Sequence, residues 1–388
     1  MTENPSPPSQ SPGAQDKLIG IELLRFASAV AVLIFHFQHF AFVGTAPHVF
    51  TASRQPFYPV LHLLYVYGFY GVQVFWCISG FIFFWKYADV ISKRRLSGYK
   101  FFVLRMSRLY PLHFATLLFV AALQAVYFAK NGFYFIYASN DFYHFMLQLF
   151  MASNWGLQVG DSYNGPIWSI SIEVLVYCIF FLTLRYISGS PVMVACMAAL
   201  SAGVMFLKIS VSPVFNCLLF FYLGCMTAYV YMRIKDVASY REPAAAVAVV
   251  AIAAVVSAQY FVSVTPIYFL LIFSPALIYL CVEYIPATRV ISAALNSAGS
   301  VTYSSYLLHV PIQLTVAAVG AYARWPIPVY SRVFFMSYLA GTLLLSRYCY
   351  KYFEMPAQNY LRRRLAREHQ PGARRNSGSC ATASRTSS

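Results

Sequence analysis

A short set of charged and imidazole side chains stands inside the long apolar stretches of this sequence: Glu22, Arg25, His36, His39, His113, Glu173, Glu283 and His309. Such groups are costly in hydrocarbon, so each needs a partner or a function. Arg25 and His36 are eleven residues apart. At 100° per residue they fall within about 20° of each other on a helix, with a rise of about 16 Å between them. Glu22 lies on the same face, three residues before Arg25. Histidine exchanges protons near neutral pH, so an acid/base role for His36 is the sharp reading. The plain reading is a hydrogen-bonded core histidine above a Glu22–Arg25 pair near the interface. His36 and His39 have no evident third ligand, and no metal site is expected.

Two more segments place polar groups in register. Ser169, Glu173 and Tyr177 recur at i, i+4 and i+8 after a Gly165-Pro166 start, which aligns a carboxylate with two hydroxyls on one helix face. Such a face serves a polar pocket or an interhelical hydrogen-bond network equally well. The run from Gly299 to Pro311 is a polar face that ends at His309. The basic stretch from Lys93 ends in Arg105 and Arg108, just before an apolar segment. It reads as a topology and lipid signal, or as a phosphate site where arginines and free N–H groups meet at a helix start.

The elements that must carry these groups follow from composition. The chain has 388 residues, 60% hydrophobic and 10% charged, with mean hydropathy +0.60. A soluble domain is about 45–50% apolar and about 25% charged, so a soluble globular enzyme is excluded. The fold class expected is all-α: a polytopic membrane protein of about ten transmembrane helices. The apolar runs fall near 18–43, 61–85, 109–129, 167–187, 191–207, 213–232, 244–262, 266–284, 300–320 and 331–350. Segment 142–155 is too short and mixed to span, and is expected to be re-entrant or interfacial. With ten spans and the N-terminus inside, most of the 28 Lys and Arg fall on the cytoplasmic side. Both termini are therefore expected in the cytoplasm, and the net charge of +16 is a topology signal, not a nucleic-acid footprint. Residues 1–16 and 368–388 are polar and expected to be disordered, flanking one membrane domain over 17–367. Seven of the eight cysteines lie in apolar runs and read as small core fillers.

Taken in order, several segments resemble the acyltransferase-3 family of integral membrane proteins. Glu22-Leu23-Leu24-Arg25 followed by His36 resembles its Arg-x10-His first helix. The segment from Gly71-Val72 to Ser79-Gly80-Phe81 is similar to its Gly-Val…Ser-Gly-Phe segment. Arg105, Arg108 and Pro111 match an Arg-x-x-Arg-x-x-Pro pattern, and Trp168-Ser169 with Glu173 a Trp-Ser-x-x-x-Glu pattern. Tyr303-Ser304, Tyr306-Leu307 and His309 resemble its Tyr-Ser-x-Tyr-Leu-x-His segment, and Glu354 with Pro356 its Glu-x-Pro end.

The resemblance implies acyl transfer from acyl-CoA, most simply acetyl-CoA, on the cytoplasmic side. The acceptor it implies is a hydroxyl of a glycan or glycolipid, reached from a multi-pass position in the bacterial inner membrane. It gives His36, Arg25 and Glu173 catalytic roles. It has Arg105, Arg108, Ser79, Trp168, Ser169, Tyr306 and His309 hold the donor, and no resident cofactor. Many relatives carry a fused SGNH domain, which is not expected after Pro356. Two other acylating signatures, a His-x4-Asp motif and a Gly-x-Ser-x-Gly elbow, are absent from the sequence. The rival readings are a proton-coupled transporter, which would also use intramembrane Arg, His and Glu, and a non-catalytic partner in polysaccharide assembly.

Overall fold

The computed structural model describes residues 18–210 and 212–368. The N-terminal segment 1–16, and the tail beyond Glu368, lie outside the described residues. Within them the chain is helical almost throughout, apart from a small β-hairpin that pairs Phe42–Val43 with Ala46–Pro47.

Each expected apolar run falls on a helix. The first is α1 (Ile19–His36), continued by a 3-10 turn over Phe37–Ala41. The second is divided, with α2 (Tyr58–Tyr67) and α3 (Gly71–Ser92) meeting at a 3-10 turn over Gly68–Tyr70. The next long helix is α4 (Gly98–Asn131), and a short α5 (Phe142–Leu149) leads towards α6 (Ile167–Leu182). Then come α7 (Pro191–Phe206), α8 (Pro213–Ile234), α9 (Ala238–Val262) and α10 (Pro266–Tyr284). An amphipathic α11 (Arg289–Ser300) precedes α12 (Thr302–Ala323). The last pair is α13 (Arg332–Cys349) and α14 (Met355–Glu368), joined by a π turn over Tyr350–Glu354. Among the described residues eight helical stretches are long and apolar enough to cross a membrane. The protein is an all-α, multi-pass membrane protein.

The helix starts follow ordinary capping chemistry. Ser97, Ser190, Ser212, Thr288 and Ser331 each accept a backbone N–H of the helix they open. The Ser97 cap corrects one expectation. It starts α4 at Gly98, so Arg105 and Arg108 stand two turns or more inside the helix, where the N–H groups are already paired. An anion there would meet guanidinium groups alone. Segment 142–155 holds the eight-residue α5, capped by Asp141, inside a connection from Gly132 to Pro166 that is tied down by side-chain bonds.

The core lies between α3, α6 and α8. Trp76, Phe81, Phe180, Phe220, Phe221 and Tyr222 are among its large, fully buried side chains. α3 and α8 approach until their backbones touch. A Cβ on Gly80 would overlap the Phe221 carbonyl, and one on Gly224 the Cys77 carbonyl. Cys225 Sγ donates to the Gly80 carbonyl at 3.4 Å. Water-driven burial does not hold helices together in lipid, and small residues allow this close packing instead. By contrast α9 turns Val247, Val249, Val250 and Val256 outward, as a lipid-facing helix does. Glu283, flagged as an intramembrane acid, closes an ion pair with Arg241 between α9 and α10.

Proline placement shapes α12. Pro311 has no N–H, which orphans the Leu307 carbonyl one turn earlier. Asn164, from the connection before α6, donates Nδ2 to that carbonyl at 3.2 Å and to Thr116 Oγ1 at 3.1 Å. His113 Nε2 donates to the Gln148 carbonyl at 2.7 Å, tying the same connection to α4.

Candidate active site

A cavity of about 130 Å³ lies between α1, α3, α4, α6 and α12. Arg25, Ser79, Arg105, Arg108, Ser169, Glu173 and Tyr306 line it. These residues come from five helices. The face of Ser169, Glu173 and Tyr177 read from the i, i+4, i+8 spacing is turned into the cavity as a unit.

The polar groups are held by charge and by aromatic surface. Arg25 Nη1 donates to Glu22 Oε2 at 3.1 Å, so the pair expected on α1 forms. The Glu22 carboxylate can lie there because Gly299 of α11 leaves room for it. Glu173 is the acid inside the cavity. Its Oε1 has no hydrogen-bond partner, and Arg25 and Arg108 are the cations whose fields reach it. The Arg105 guanidinium lies over the rings of Phe83 and Tyr87, 4.8 and 5.1 Å from their centroids, and donates to the Tyr87 hydroxyl at 2.5 Å. Aromatic faces attract a cation without neutralising it, and the buried Arg105 Nε has no partner.

His36, Trp168 and His309 do not line the cavity. Trp168 packs behind its wall, stacked on Phe69 and edge-on to Trp76. The two histidines form a separate cluster with His39, in which His36 lies 4.9 Å from His309 and 4.8 Å from His39 between ring centroids. Tyr306 joins the cluster to the cavity. Its hydroxyl is 2.7 Å from Ser169 Oγ and its ring 5.9 Å from that of His309. His36 Nδ1 lies 2.9 Å from the Val32 carbonyl. A carbonyl only accepts, so Nδ1 carries the hydrogen and Nε2 keeps its lone pair. The His36 carbonyl, at the end of α1, is capped from α12 by Gln313 Nε2 at 2.7 Å. Neither ring nitrogen of the buried His309 has a hydrogen-bond partner. Among the described residues no group of three or more His, Cys, Asp or Glu side chains is arranged to hold a metal.

Tyr177, read on the Ser169–Glu173 face, and Tyr303, read in the Tyr-Ser motif, line the cavity too, although neither was given a site role from sequence. Tyr303 donates to the Leu109 carbonyl at 2.5 Å, which fixes α12 to α4. Glu354, buried at the π turn, accepts from Ser304 Oγ at 2.6 Å. The motif that contains Glu354 was visible, but a partner fifty residues away was not.

The model of the acyltransferase domain of the acyltransferase-3 family matches residues 18–351, most of the chain. The chain belongs to the acyltransferase-3 family. It is therefore a membrane acyltransferase. No curated protein and no solved structure matches this acyltransferase. Arg25, Arg105, Arg108 and Glu173 all fall within the matched residues, as do His36 and His309.

Proposed function

We propose that this acyltransferase takes an acyl group, most simply acetyl, from acyl-CoA at the cytoplasmic face and delivers it to a hydroxyl of a glycan or glycolipid. Its setting is the bacterial inner membrane. The observation that carries this reading is the convergence of Arg25, Arg105 and Arg108 on one narrow cavity whose far wall, Tyr306, touches the histidine cluster. A cavity of about 130 Å³ is too small for a nucleotide. It suits the long, thin arm of a CoA thioester, with the phosphates left at the arginines.

In this reading His36 Nε2 takes the proton from the acceptor hydroxyl. The hydroxyl oxygen attacks the thioester carbonyl, forming a C–O bond, and the C–S bond then breaks. His36 returns its proton to the departing thiolate. Arg25 and the Ser79 and Ser169 hydroxyls are donors for the oxyanion that forms in between. Glu173 balances the arginines while the cavity is empty of anions. His309, next to His36, orients the imidazole or the acceptor.

The test is His36→Ala in purified protein. Acyl transfer should fall by about 10²–10⁴-fold, the usual worth of a general base, while the thermal unfolding midpoint and acyl-CoA binding stay near wild type. Transfer at an unchanged rate would sink the mechanism. Mass spectrometry of surface glycans from cells with and without the protein would identify the acceptor.

A further inference from the structure

Arg362 of α14 lies beyond the residues that the family match covers. It is half-buried against α4, with Nε donating to Ser107 Oγ at 3.2 Å and Nη2 to the Leu104 carbonyl at 3.4 Å. Those contacts bring its guanidinium to the turn of α4 that carries Arg105 and Arg108. Burial lowers the Arg362 pKa, and the fields of Arg105 and Arg108, which reach it, lower it further. No carboxylate forms an ion pair with any of the three among the described residues. The fields of Glu173 and Glu354 reach Arg108, but with no carboxylate bonded to any of them the three guanidinium groups still repel one another. Arg105 also keeps a buried Nε with no partner. Side-chain bonds hold α14 in this place, although the repulsion would favour its release. The missing component is an anion with several acceptor oxygens, for which arginine forks are well matched.

We propose that Arg362 completes, with Arg105 and Arg108, a three-arginine site for a phosphate group on the turn of α4 against which α14 packs. The inference rests on the reading of Arg105 and Arg108 as phosphate ligands and adds a cation from a separate helix. The phosphate belongs either to the CoA donor or to the headgroup of an anionic phospholipid, and the two sources are separable. Two of the Arg362 N–H groups are used to fix its position, and Nη1 has no partner among the described residues. The side chain is thus both aimed and available.

The experiment measures CoA binding by calorimetry to the full chain in nanodiscs of neutral lipid, and retained phosphatidylglycerol by native mass spectrometry. The variants are Arg362→Ala, Arg362→Gln and the exposed neighbour Arg363→Ala. Arg362→Gln keeps a donor for Ser107, so it separates the loss of charge from the loss of the α14–α4 contact. The result expected for the donor source is a rise of about tenfold in Kd for CoA in both Arg362 variants. The salt dependence of binding should also become shallower, because one fewer cation is screened. Arg363→Ala should match wild type. If CoA binding holds but retained phosphatidylglycerol is lost in both Arg362 variants, the site stands and its phosphate is lipid-borne. If neither ligand responds to Arg362→Gln in folded protein, the proposal is overturned. Arg105→Ala with Arg108→Ala supplies the remaining distinction. Weakened CoA binding there with no effect at Arg362 removes only the third arginine, whereas no effect in either removes the underlying reading as well.

Discussion

An imidazole can act as a base inside a membrane only if something fixes which nitrogen carries the hydrogen. At His36 the Val32 carbonyl does this, and the helix that supplies Val32 also supplies Arg25. The sequence could place Arg25, Ser169, Glu173 and Tyr177 on common faces because helical periodicity is a local property. It could not pair Glu354 with Ser304 or Arg362 with Ser107, since those contacts join helices far apart in the chain. It also could not show that Tyr306 stands between the cavity and His309. Another residue-scale device lies outside the membrane-spanning segments. Asp141 accepts the His144 backbone N–H at 2.8 Å and lies 2.9 Å from its Nδ1. The His144 backbone bond, followed by the side-chain bond, lowers the Asp141 pKa. The folded value thus lies below the unfolded one. Its contribution is present at neutral pH and is lost as pH falls through the folded value. Protection of the α5 amides, corrected for their slower intrinsic exchange in acid, should therefore fall on acidification, starting near the ordinary carboxylate range. Asp141→Asn should keep a cap and flatten that response; an unchanged acid response in this variant would place the titration elsewhere.

At the scale of elements, the pairing of α3 with α8 sets the geometry of the cavity wall. Ser79 faces the cavity while its neighbour Gly80 meets the Phe221 backbone, so packing and site are adjacent along one helix. Gly80→Ala must push α8 away and carry Ser79 with α3. Overpacking of this kind costs about 1–3 kcal/mol, which predicts a lower unfolding midpoint in detergent together with reduced acyl transfer. A variant with wild-type stability and activity would show that the two helices can separate freely. Hydropathy made the apolar runs legible, and the Gly165-Pro166 start of α6 was read correctly. The true start of α4 was not. The serine cap at Ser97 lies well upstream of the apolar run, and the charged turns between them are still helical. The break between α2 and α3 was also hidden, because Gly68 and Gly71 fit against α1 backbone carbonyls that only the folded structure brings close.

For the whole molecule, the basic residues fall mainly in segments that the ten-span reading places together, including the arginines of α14. A reporter fused after Arg367 should read as cytoplasmic, and one inserted near Gly132 as extracytoplasmic. The reverse pattern would invert the placement of the donor site. The composition alone was enough for the class of protein, since a chain with 10% charged residues leaves few candidates for chemistry. It held nothing about how distant connections reach that chemistry. Asn164 is one such link. It holds the Leu307 carbonyl that Pro311 leaves open, between Tyr306 on the cavity side and His309 on the cluster side. Thermodynamic linkage makes this contact a two-way coupling. A molecule that binds the connection between α4 and α6 and draws Asn164 away from Leu307 would alter donor affinity by some factor. Donor binding would then alter affinity for that molecule by the same factor.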